Sequence, residues 1–164
     1  MKIKTLLVVF LVGLSFASSA SASTNFKTYA PKYFAGFTFT HFTPGDNSSC
    51  SDHAPRVSAF GGTGNLHNSS PGISIFEKAQ GTCPSAPEFN TKISTQIVNG
   101  HTAQVWSNCA GVAAGKCGAT QVKANGGLVT WIIPGSKSMK ATVVNVASYN
   151  LSLDTLLLVA RSIR

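Results

Sequence analysis

The chain has 164 residues, 43% hydrophobic and 11% charged, with a net charge of +8 at neutral pH and a mean hydropathy of +0.15. That is enough apolar material for one ordinary core and too much for a disordered polyelectrolyte, and five acids in all leave little for paired-carboxylate chemistry. The cations stand singly with no basic run, which argues against specific nucleic-acid recognition and for association with polyanions or anionic surfaces.

Lys2 and Lys4, the apolar stretch Leu6 to Phe16 and the small residues Ala20-Ser21-Ala22 have the order of a secretory signal peptide over 1–22. The apolar stretch is shorter than the roughly 20 residues a membrane-spanning helix needs. No Cys beside the cut offers a site for a lipid. We therefore expect 23–164 to be a single secreted or periplasmic domain without a transmembrane anchor, keeping eleven Lys/Arg against five Asp/Glu for a net charge of +6.

Phe37, Phe39 and His41 alternate with Thr38, Thr40 and Phe42, the period of a strand, and residues 43–55 carry the Pro, Gly, Asp, Asn and Ser of a surface loop. Arg56 to Phe60 reads as a second strand. After a Gly-rich connection, Ile73 to Lys78 resumes the alternation, with Ile73, Ile75 and Glu77 opposite Ser74 and Phe76. Asn99-Gly100 marks a hairpin of two strands within 91–109, and Asn125-Gly126 is predicted to make a second one between 118–124 and 127–134. Ala141 to Ala147 is the last strand. Ser152 then caps a helix with Asp154 in its first turn and an apolar stripe of Leu153, Leu156, Leu157, Ala160 and Ile163. The pattern predicts an α+β fold, a mostly antiparallel sheet of about six to seven strands covered by the C-terminal helix.

Cys50, Cys83, Cys109 and Cys117 form an even set in an exported chain, which points to disulfides, with three connectivities open. The favoured pairs are Cys109–Cys117, which would clamp a Gly/Ala-rich loop, and Cys50–Cys83. None stands at CxxC spacing or beside a histidine cluster, so neither a metal nor a cofactor is expected.

The segment Pro31-Lys32-Tyr33-Phe34-Ala35-Gly36-Phe37, the run Val98-Asn99-Gly100 with Ala103, the pair Leu128 and Trp131, and the ending Ala160-Arg161-Ser162-Ile163 together resemble a group of exported bacterial domains. Those domains are of unknown function and are often attached to anti-sigma-factor-like membrane proteins. In style the arrangement is similar to PsbP-like sandwiches. The resemblance implies an α+β sandwich that binds partners rather than catalyses. The four cysteines and the spacing between Leu128 and Trp131 depart from the family pattern.

His41, His53, His67 and His101 are the groups suited to acid–base work near neutral pH. His53 and His67 fall in polar loops and His101 follows a turn, so they are read as exposed residues and, at most, binding groups. Trp106 and Trp131 are either ligand platforms or core residues of alternating strands. No nucleophile elbow, zinc-protease or phosphate-loop motif occurs, and no catalytic residue is assigned. The reading is a non-enzymatic exported binding or accessory domain whose partner is an anionic envelope polymer or another exported protein. The alternatives are a small nuclease-like secreted hydrolase and a secreted protein inhibitor.

Overall fold

In the computed structural model, which describes residues 26–37, 39–45, 56–62, 71–81, 89–113 and 115–164, the alternating segments pair into one antiparallel sheet. Its strands are β1 (Phe39–Gly45), β2 (Arg56–Gly62), β3 (Gly72–Ala79), β4 (Thr91–Val98), β5 (His101–Ser107), β6 (Gly127–Ile133) and β7 (Thr142–Tyr149). They lie in the order β1-β2-β3-β7-β6-β5-β4, and side chains are described for the five strands β3 to β7. With the helices α1 (Ala119–Asn125) and α2 (Leu153–Ser162) the architecture is α+β.

Register partners share a face of a sheet, so the pairings settle which residues look toward α2. Ile75 lies opposite Val146, which lies opposite Val129, which lies opposite Val105; all four are buried with Leu156, Val159 and Ala160 of the helix. α2 begins at Ser152, whose hydroxyl accepts the Thr155 N–H at 3.2 Å, and Asp154 occupies its first turn. The stripe contains the expected Leu156, Leu157, Ala160 and Ile163 together with Val159, while Leu158 stays 52% exposed.

Several expectations are corrected. The first strand starts at Phe39 and runs to Gly45, absorbing Thr43 and Pro44 from the predicted loop. β1 is an edge strand, where a proline without an N–H is tolerated. Ser74 and Lys78 are buried as well as Ile73 and Ile75, because β3 is an interior strand. The second predicted hairpin does not form: residues 119–125 are α1, and Gly126, at φ 85°, ends it. A positive-φ glycine serves a helix C-terminus as readily as a hairpin turn, and the Asn-Gly signal does not distinguish them. Gly127 then lets α1 lie against β6, since a Cβ there would meet Val122 Cγ1 at 2.6 Å. The first hairpin is present, with Asn99 at φ 50° and Gly100 at φ 82°.

The Cys109–Cys117 bond is present with Cα atoms 5.9 Å apart, a spacing normal for disulfides. Cys50 and Cys83 lie outside the described residues, as do His53 and His67. Among the described residues no helix is long and apolar enough to cross a membrane.

Residues 26–37 form a strap across one end of the sheet. Phe26 bridges to Lys140, the Thr142 hydroxyl donates to the Lys27 carbonyl at 2.7 Å, and the Arg164 N–H donates to the Ala30 carbonyl at 3.2 Å. Lys32 N–H reaches the carbonyl and the hydroxyl of Ser162, each at 3.2 Å. The Asn99 side chain donates to the Ile163 carbonyl at 2.8 Å. Strap, β4–β5 turn, β6–β7 loop and the end of α2 thus meet at one pole of the domain.

Candidate functional site

α2 covers one face of the sheet, and the other face carries a groove of about 570 Å³ near the strap pole. It is lined by Lys78 of β3, Val143 of β7, Thr130 and Ile132 of β6, and Thr102 and Gln104 of β5, with Gly81, Gly100, His101 and Trp131 at its margin. Lys78, Val143 and Ile132 are successive register partners, so a cation and two aliphatic side chains form a row across three strands. Beside it, Asn145 is paired with Thr130, which is paired with Gln104, giving a parallel polar row. Asn145 is 7% exposed and its Oδ1 finds no donor among the described residues. The described lining therefore combines an ammonium, an imidazole, two hydroxyls and an amide over an aliphatic floor, with no carboxylate and no thiol.

His101 also borders a second, smaller cavity of about 310 Å³ on the helix side, lined by Tyr29, Asn99, Ile133, Ile163 and Arg164. Of the binding residues singled out from the sequence, His101 and Trp131 meet at the groove. Trp131 is only 2% exposed and belongs to the core behind α2, where its indole ring serves packing rather than as a ligand platform. Trp106 lies on the groove face but away from the groove, against Phe89, Leu128 and Ala147. Lys78, Thr102, Gln104 and Thr130 escaped the sequence reading. Their signal was alternation: Gln104 and Thr130 each stand between two core residues of their strand, and Lys78 and Thr102 each precede a buried alanine.

Next to Lys78 in the chain, Glu77 points the opposite way and is 1% exposed. Both its carboxylate oxygens accept the Tyr29 N–H, at 3.1 and 3.0 Å. Burial pushes its carboxyl up to about 7 although this hydrogen bond pulls the other way. Burial and the nearby Glu77 charge also raise the Tyr29 phenol. The Lys27 ammonium sits 5.1 Å from the centre of the Tyr29 ring.

The same pole gathers cations that are scattered in the sequence. Lys27 and Lys32 arrive on the strap, Lys137 and Lys140 on the β6–β7 loop, and Arg161 and Arg164 at the end of α2, all six exposed. Asp154 stands at the opposite end of α2. No group of three metal-ligating side chains occurs among the described residues. No protein-family model, curated protein or solved structure matches the chain.

Proposed function

We propose that the protein is a non-enzymatic exported binding domain whose groove takes a segment of an anionic, hydroxyl-bearing envelope polymer. The observation that carries this reading is the groove lining: Lys78 sets a positive charge at its wall, His101, Thr102, Thr130 and Gln104 offer imidazole, hydroxyl and amide contacts, and the described lining holds no acid. Binding is favoured over turnover because His101 has no carboxylate or second imidazole beside it among the described lining residues, and acid–base catalysis asks for a partnered group. The similarity in style to PsbP-like sandwiches, which implies partner binding, points the same way.

The test is calorimetric titration of the mature protein with an anionic wall polymer at low and high salt, with Gln104→Ala and His101→Ala as variants. Binding that weakens with salt and falls about tenfold in either variant, the scale of one lost charge-assisted hydrogen bond, is the expected result. Unchanged affinity in both variants, or cleavage of the polymer during the titration, removes the proposal.

A further inference from the structure

We propose that the strap pole is a docking surface for an anionic lipid bilayer, with Tyr33, Phe34 and Met139 entering the interface while the exposed cations meet the headgroups. It goes beyond the groove and uses none of the groove's side chains.

Three of the six large apolar side chains exposed among the described residues belong to the elements of this pole: Tyr33 at 44%, Phe34 at 37% and Met139 at 36%. Each is held on a fixed backbone. The Phe37 N–H closes a turn onto the Phe34 carbonyl at 2.9 Å, with Ala35 at φ 52° and Gly36 at φ 81°. The Tyr33 carbonyl accepts from the Ser162 hydroxyl at 3.3 Å, and the Met139 carbonyl accepts the Ser136 N–H at 3.0 Å. The cations of the pole stand beside them in the chain: Lys32 precedes Tyr33, Met139 is followed by Lys140, and Arg161 precedes the Ser162 that holds the strap.

Charge complementarity and patch composition choose the occupant. A soluble polyanion would meet the cations and gain nothing from the aromatic and thioether groups. A bilayer interface accommodates both, since aromatic rings settle at headgroup level and basic side chains are drawn to anionic lipid. A protein partner of the usual kind covers about 800 Å² on each side with some 20 residues or more, far beyond three apolar side chains.

The decisive experiment is co-sedimentation of the mature protein with phosphatidylcholine vesicles, with and without phosphatidylglycerol. Sedimentation with the anionic vesicles only is expected. It should drop about tenfold or more both in Phe34→Ser/Met139→Ser and in Lys32→Gln/Arg161→Gln, with circular dichroism unchanged, and stay at the parent level in Gln104→Ala. Three outcomes overturn the proposal: no sedimentation, equal sedimentation with neutral vesicles, or parent-level binding by the apolar double variant, which would mean adsorption by charge alone. Loss of binding in Gln104→Ala would overturn it as well, by moving the contact to the groove. Failure here leaves the groove reading intact, because calorimetry with a soluble polymer contains no lipid.

Discussion

The two ends of the sheet are held together by different means. At one end the Cys109–Cys117 bond closes a loop of eight residues' separation, and α1 follows it directly. At the other, the strap is tied down by hydrogen bonds between residues far apart in the chain: 48 positions for Tyr29 to Glu77, 115 for Thr142 to Lys27, 130 for Lys32 to Ser162. The first restraint is local and covalent and takes no notice of pH. In the second, one bond, from the Tyr29 N–H, ends on the buried Glu77 carboxyl, so part of that restraint depends on a proton. A loop with few side chains to bury needs a covalent clamp, whereas a segment bearing Phe26, Tyr29 and Phe37 can be held by burial and directional bonds.

The contrast can be broken or sharpened by experiment. The largest effect belongs to the core that both ends share: Leu156→Ala, at a fully buried helix position, should lower unfolding free energy by about 3–4 kcal/mol in denaturant titration, while Leu158→Ala two residues on changes it by less than about 0.5 kcal/mol. Next comes the pH dependence of the strap end. Glu77 titrates near 7 in the fold against its ordinary 4.5, so the folded state holds the extra proton between these values. Its contribution is complete below pH 4.5, declines as pH rises, and is lost above pH 7, a change of roughly 3 kcal/mol. Glu77→Gln should flatten that slope in melting curves taken from pH 5 to 8; a slope that survives the substitution would show that the strap end does not depend on this carboxyl.

The disulfide end should behave in the opposite way. Cys109→Ser/Cys117→Ser is expected to lose about 2–3 kcal/mol by the chain-entropy estimate for so short a loop, by the same amount at pH 5 and pH 8. A loss that varied with pH would join the two ends and dissolve the contrast. A smaller effect than either restraint is expected at Asn99→Gly, which keeps the positive-φ turn but removes the bond to the Ile163 carbonyl; about 1 kcal/mol is expected, read from the same denaturant titration.

Much of this was written locally. Period-two alternation located the strands, Asn99-Gly100 located a turn, Ser152 and Asp154 located the start of α2, and the Gly/Ala-rich loop announced its disulfide. Where local signals were ambiguous the reading failed: Asn125-Gly126 suits a hairpin and a helix end equally, and only the packing of Val122 against Gly127 chose between them. The groove was harder still. Thr102, Gln104 and Thr130 look like ordinary outward positions until β5, β6 and β7 are set side by side.

By itself the sequence determined the chemistry of each element: which residues must leave water, where the chain turns, and that the molecule is basic. It determined these because they follow from side-chain hydrophobicity, backbone preference and charge count. Only the tertiary structure decided that Glu77 would be buried under the strap and that Lys27, Lys32, Lys137, Lys140, Arg161 and Arg164 would share one pole. Neighbourhood between residues more than a hundred positions apart is set by strand order and register, and these minimise the exposed apolar area of the whole sheet rather than of any segment within it.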